Sequence, residues 1–276
     1  MAMMPVPGAQ ADVALEGVPE TMLWPLWSRA SHGRGSGAVL QDPMATALVD
    51  AIDYDFRGRF GRPGMVHAVR ARYSDDLIRA FLDRHPDASV VALGEGLESQ
   101  FWRVDNGRVR WYSVDLPEAI AVRRRLLPAH ARNTLVPCSA LDTQWFDAVP
   151  GDGPVFVSAA GLLMYFERNA VVILLRSMVR HFRCGELFFD TIPPWLSRRS
   201  LKGWAVTRHY TAPPMPFGIA LEGLPDLFRQ ISGLTPLTAQ TCAEPYPRTM
   251  PLFALLSRVR AVKQRVAPGL VHARFP

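Results

Sequence analysis

Lysine is nearly absent from this 276-residue chain: only Lys202 and Lys263 stand among its 31 basic residues. Arginine therefore carries the formal net charge of +6, and the arginines are scattered rather than gathered into one block. A nucleic-acid-binding chain needs a basic stripe or patch, and none is legible here. Arg123-Arg124-Arg125 is the densest run, and on a helix it reads as a solvated face. The charge excess points instead to an anionic small substrate. Cysteine is scarce as well. Cys138, Cys184 and Cys242 are odd in number and far apart, with no metal-ligand spacing, so they read as reduced thiols, with Cys138 and Cys184, in or beside apolar runs, packed in a core. No apolar run reaches the ~20 residues of a membrane span. Residues 1–17 lack a basic region followed by a long apolar core, so they read as a mobile tail rather than a signal peptide. A cytoplasmic protein without membrane or nucleic-acid partners is expected. Serine-hydrolase order, zinc spacing and a phosphate-binding loop are all missing.

What is present is an ordinary globular composition, 49% apolar and 20% charged, in a chain long enough for one large α/β domain. Residues 18–85 read as helical. Asp42-Pro43 pairs an N-cap residue with proline at the first helical position, and Met44, Leu48 and Ile52 follow at helical spacing. A longer helix is predicted from Met65 to Arg84 and ends at His85-Pro86. Strands then alternate with helices: Ser89–Leu93, Val109–Val114, about Leu135–Cys138, Val155–Ala159 and Glu186–Asp190. Helices are expected after Pro117 and over Glu167–Phe182. This alternation predicts a parallel sheet with helices on both faces and a ligand crevice at the strands' carboxyl edge. Residues 191–230 break the pattern with paired prolines and large aromatics, which predicts a substrate lid. A sixth strand near Leu234–Gln240, a helix over Pro251–Val262 and a last strand Leu270–Phe275 complete a single domain over 18–276.

The most informative stretch is Val90-Val-Ala-Leu-Gly-Glu-Gly96, with Asp115 nineteen residues beyond Gly96 at the end of the next apolar run. Glycines let a ligand approach the backbone, and an acid one strand over binds ribose hydroxyls. Ser99 stands where a dinucleotide fingerprint carries its third glycine, which argues against NAD. A nucleoside without phosphates fits better, and S-adenosylmethionine is the commonest such cofactor.

Several motifs in order carry a family resemblance. They are Pro19-Glu20-Thr, Asp42-Pro43, Asp53-Tyr54-Asp55-Phe, Leu93-Gly-Glu-Gly-Leu97, Phe101-Trp-Arg103, Val114-Asp-Leu-Pro117 and Gly161-Leu-Leu-Met-Tyr-Phe166. Over residues 18–260 the chain resembles the leucine carboxyl methyltransferase family, in its tetracenomycin-type polyketide O-methyltransferase branch. The resemblance implies a Rossmann-like class I methyltransferase with a mostly parallel seven-stranded sheet. S-adenosylmethionine would be the donor, S-adenosylhomocysteine the product, and no metal is implied. Arg70 matches the arginine that grips the methionyl carboxylate, with Arg72 as its alternative. Gly94 and Gly96 would lie along the methionine and ribose, and Asp115 would accept both ribose hydroxyls. Leu116 and Leu141 would flank the adenine, with Ser139, Ala140 and Asp142 beside it. The sequence departs from the family at Glu95, where a small residue is usual, and at Ala140, where an aspartate is frequent. Glu95 faces either the sulfonium or solvent. Ala160 stands where the family usually has a glutamate.

A carboxylate acceptor needs no base, whereas a phenol or alcohol does. The candidate bases are His209, Tyr210, His32 and Tyr165, with His209 preferred among them. Arg29, Trp195, Trp204 and Arg208 are the candidate substrate contacts, with Arg198 and Arg199 as further cations. The expected function is O-methylation of a carboxylate or hydroxyl on a small, polyketide-like secondary metabolite by a monomer or homodimer. The alternatives are a protein carboxyl methyltransferase and a non-catalytic cofactor-binding relic.

Overall fold

The computed structural model describes residues 18–33, 38–151 and 153–276. The expected mobile tail over 1–17 lies outside the described residues. Seven strands form one sheet: β1 (Ser89–Leu93), β2 (Arg110–Asp115), β3 (Asn133–Pro137), β4 (Val155–Ala159), β5 (Gly185–Thr191), β6 (Thr235–Thr241) and β7 (Gly269–Phe275). Their order is β3-β2-β1-β4-β5-β7-β6. The first five pair parallel, and β7 runs antiparallel between β5 and β6. Central β1 and β4 are buried at every position. That is why they read as unbroken apolar runs. β6 is an edge strand, exposed along most of its length and interrupted by an irregularity at Pro236, as edges tolerate.

Before the sheet, the helices Leu23–His32, Pro43–Ala51 and Phe56–Phe60 form a cap with its own apolar cluster, including Leu26, Leu48 and Phe60. Asp42 caps the second of these by accepting from the Ala45 N–H at 2.9 Å. The long helix Met65–Arg84 runs against one face of the sheet, with Ile78, Phe81 and Leu82 buried beneath it. The helix Arg168–His181 buries Val171, Leu174, Leu175 and Met178 in the other main cluster. Residues 191–230 are not a bare loop. They hold the helices Pro194–Leu201 and Leu224–Arg229 and are tied back by a bridge between Ile192 and Gly218. The helix begun at Pro251 stops at Leu256, short of the expected Val262, and a separate π-helical turn covers Val262–Val266. Among the described residues no helix is long and apolar enough to cross a membrane.

The chain leaves β1 for β2 on one side and reaches β4 on the other. That reversal opens a crevice past the carboxyl ends of β1 and β4.

Candidate active site

A cavity of about 390 Å³ fills that crevice. This volume falls in the range of sites that enclose a cofactor-sized ligand. Its floor is the turn after β1. Gly94 and Gly96 both take the left-handed conformation, with φ of +61° and +51°. A Cβ on Gly94 would come within 2.7 Å of Leu162, and one on Gly96 within 2.8 Å of Met22. Both glycines are therefore required by backbone shape and by close packing. Asp115 ends β2 and leans over this turn. Its Oδ2 accepts from the Gly96 N–H at 2.7 Å, and its Oδ1 accepts from the Leu116 N–H at 2.8 Å. Burial raises the pKa of Asp115, and these two N–H donors and Arg123 only partly offset it.

Across the cavity, Arg70 pairs with Asp190 Oδ2 at 3.0 Å, and the Gly161 N–H donates to Asp190 Oδ1 at 2.5 Å. Asp190, near the end of β5, thus fixes both the arginine and the turn after β4. Gly161 has φ of +73°, and a Cβ there would meet the Arg70 guanidinium at 2.7 Å. Arg72 instead holds Asp76 on the outer face of the helix. Of the two arginines, Arg70 is the one that lines the cavity. Ala160 lines it too, and Asp190 places a carboxylate on the same wall.

The turn carrying the glycines is braced from behind by Arg123, only 1% exposed. It donates to the Gly96 and Glu98 carbonyls at 2.8 and 2.7 Å and lies 3.0 Å from the Glu95 carboxylate. The Arg123 run is therefore not a solvated face at its first member. Glu95 turns inward to this pair and to the Trp111 indole N–H, so it faces neither solvent nor the centre of the cavity. Burial raises the Glu95 pKa more than Arg123 lowers it.

Arg29 is likewise a strut, not a free cation for substrate. It is 2% exposed, pairs with Asp42 at 3.0 Å and Glu98 at 3.0 Å, and donates to the Leu97 carbonyl at 2.8 Å. Asp42 also accepts from Arg103 at 2.8 Å and from the Ser99 hydroxyl at 2.6 Å. Burial alone would raise its pKa, but Arg103 and Arg29 outweigh burial and lower it.

The other expected residues divide. Trp204 lines the cavity and packs edge-on against Trp24, 5.9 Å between ring centres. Tyr165 also lines the cavity, and burial raises its phenol pKa, so it stays a protonated donor and is no base at neutral pH. His209 and Arg208 are exposed and hydrogen-bond each other at 2.8 Å, outside the cavity wall. Two adjacent polar residues at a loop tip turned to water, which overturns the preference for His209. Trp195 is 42% exposed and donates to the Val266 carbonyl, away from the cavity. Tyr210 is buried against Trp24 and Phe60 in the cap core. His32 is bound to the Pro63 carbonyl at 3.1 Å. Leu116 and residues 139–142 lie at the same sheet edge but beyond the cavity wall. Leu141 is 41% exposed, the Ser139 hydroxyl accepts from the Leu141 N–H, and Asp142 caps the next turn by accepting from the Gln144 N–H.

Three carboxylates (Glu98, Asp115, Asp190) and two guanidiniums (Arg29, Arg70) stand on the cavity wall. The chain's net positive charge thus lies elsewhere, and the expectation of an anion-seeking pocket is not met. This donor set suits a cationic sulfonium carrying an amino acid and a ribose.

Comparison with known proteins agrees with this geometry. The family profile for leucine carboxyl methyltransferase matches residues 23–179. The tetracenomycin polyketide synthesis O-methyltransferase TcmP of Streptomyces glaucescens is 38% identical over 189 residues, 67% of this chain and 70% of that one. The S-adenosyl-L-methionine-dependent methyltransferase dpfgK of Gibberella zeae is 32% identical over 204 residues, 66% and 68% of the two chains. A crystal structure of a candidate methyltransferase from Thermobifida fusca YX superposes with a TM-score of 0.55 at 14% identity, over 90% of this chain and 94% of that one. That likeness is one of fold.

Proposed function

The chain belongs to the leucine carboxyl methyltransferase family and is an S-adenosylmethionine-dependent methyltransferase. From that premise we propose that it methylates an oxygen of a small, polyketide-like acceptor bound between the cap and residues 191–230. The observation that carries this reading is the apposition of Asp115 to the Gly94–Gly96 turn, opposite an Arg70 clamp, beside an aromatic wall. The sequence likeness to a polyketide O-methyltransferase supports the acceptor class.

When bound, the cofactor supplies an activated methyl group on sulfur. The protein's tasks are then to hold, align and keep out water, and alignment alone is worth ~7–11 kcal/mol of barrier. In this reading Asp115 accepts from the ribose hydroxyls, and Arg70 takes the methionyl carboxylate while Asp190 holds its guanidinium in place. The adenine would extend past the cavity along the same sheet edge, where Leu116 and Leu141 would flank it, with Ser139, Ala140 and Asp142 along its rim. Trp24, Trp204 and Met164 form an apolar acceptor chamber that excludes water.

Calorimetry with S-adenosylhomocysteine tests the assignment. Asp115→Ala and Arg70→Met should each weaken binding at least tenfold. Each removes a charged hydrogen-bond partner worth about 1.5–3 kcal/mol. Unchanged binding in both variants would reject these roles.

A further inference from the structure

His67 was not among the bases the sequence singled out. It lies on the helix Met65–Arg84 one turn before Arg70, and both residues line the cavity. Its Nδ1 sits 2.9 Å from the hydroxyl of Ser28, a fully buried residue of the facing helix Leu23–His32. Trp24 meets the ring edge-on at 5.5 Å and 76°. The ring is thus locked in orientation by one hydrogen bond and one aromatic contact. Its second nitrogen, Nε2, has no hydrogen-bond partner among the described residues, and it is not among the buried polar atoms left without one. His67 is partly buried and lines the cavity, and with Nδ1 engaged Nε2 is the ring nitrogen left available.

The charged and titratable groups facing this ring are known. Arg70 lies on its own helix, and Arg29 and His32 lie on the facing one. Burial first, and then these groups, hold the His67 pKa well below 6.5. Asp190 on β5 faces Arg70, and Tyr165 stays protonated. The imidazole is neutral at neutral pH. Neither arginine on the cavity wall is left for an acceptor's carboxylate: Arg29 is held by Asp42, Glu98 and the Leu97 carbonyl, and Arg70, braced by Asp190, is assigned to the methionyl carboxylate of the cofactor. His67 meets Trp24, Trp24 meets Trp204, and Trp204 packs with Met164, Leu196 and Met215 in one apolar cluster on the cavity wall.

We propose that His67 is the general base of the reaction and that the acceptor is a neutral aromatic hydroxyl rather than a carboxylate. The Ser28 hydroxyl accepts from Nδ1–H, which leaves the Nε2 lone pair for the acceptor's proton. The acceptor oxygen forms a bond to the methyl carbon, and the sulfur–methyl bond breaks with its electron pair left on sulfur. The hydroxyl proton passes to Nε2, giving an imidazolium and a neutral thioether. A base of low pKa suffices, because the hydroxyl acidifies steeply as its oxygen is alkylated.

The inference rests on the methyltransferase reading, and the two fail separately. Loss of S-adenosylhomocysteine binding by the native protein would sink that reading, whatever His67 does. For His67 itself, nitrogen-15 NMR of the full chain with S-adenosylhomocysteine should show bare Nε2, protonated Nδ1 and a titration midpoint below 6.5. Protonated Nε2 at pH 7 overturns the proposal without any turnover assay. In kinetics, dihydroxynaphthalene and the matching naphthoic acid serve as probes. His67→Gln should bind S-adenosylhomocysteine within threefold of native, yet lose roughly 10²–10⁴-fold in kcat on the phenol, the range of general-base catalysis. The acid limb of the native pH–rate profile should vanish with it. Native protein that methylates the acid alone, or a variant that keeps phenol turnover within threefold, refutes the assignment.

Discussion

Replacing Arg123 with methionine should uncouple the glycine turn from the helix behind it. The wild-type guanidinium neutralises Glu95 in a pair whose side chains are 1% and 2% exposed, and it satisfies two backbone carbonyls. Removing one partner of a buried pair costs about 3–5 kcal/mol, because the other charge stays buried and uncompensated. For a chain near this size each kcal/mol lowers Tm by about 2–4 °C, so the expected loss is roughly 6–20 °C. The double variant Glu95→Gln, Arg123→Met removes the stranded charge but leaves the carbonyls of Gly96 and Glu98 orphaned. It should recover about half of the loss, a coupling that a double-mutant cycle reads directly. The pH dependence has a definite sign. The folded pKa of Glu95 already lies above its ordinary 4.5, so the native state holds this proton to higher pH than the unfolded chain. Stability from that group is therefore complete below pH 4.5 and is lost as pH rises through the elevated value. Without Arg123 the value climbs further, so the deficit of the single variant should be largest at pH 8 and shrink toward pH 5. Thermal unfolding at both pH values measures all three effects. A single variant that melts within 2 °C of native at pH 8, or singles that simply add, would refute the buried pair.

Gly96→Ala should lower both Tm and S-adenosylhomocysteine affinity, since its φ of +51° and the Met22 contact at 2.8 Å leave no room for a methyl group; unchanged calorimetry would contradict the turn geometry. Arg29→Met should show its effect in unfolding, by about 3–5 kcal/mol, and not as a selective rise in acceptor KM, because every arm of that guanidinium is bound to protein. His209→Ala should keep native turnover and stability, given that the ring is exposed and off the cavity; a large kcat loss would restore it as a base.

The sheet was legible because its central strands are buried on both faces, and such strands leave long apolar runs between glycine and proline breaks. The antiparallel place of β7 was not, since strand order follows from packing and not from local pattern. The glycines and Asp115 were visible as a motif. Asp190 offers the same sign, an acid closing the apolar run Leu187-Phe-Phe189, but without a following glycine it reads as an ordinary strand end. His67 shares a helix face with Arg70 at a spacing of three, a signal that was available and unused. Arg123 and Arg29 carry no local mark at all. A buried arginine looks like a surface one until the carboxylates that meet it, far away in the chain, are brought alongside.

The four-way junction at Asp42 bears on how such enzymes diversify. Arg29 comes from one segment, Ser99 and Arg103 from another, and a single carboxylate fastens all three. Chimeras that transplant the helical front of a relative to change acceptor choice must import or preserve this quartet together. A crossover placed between residues 42 and 99 that breaks it would yield insoluble protein rather than a new specificity.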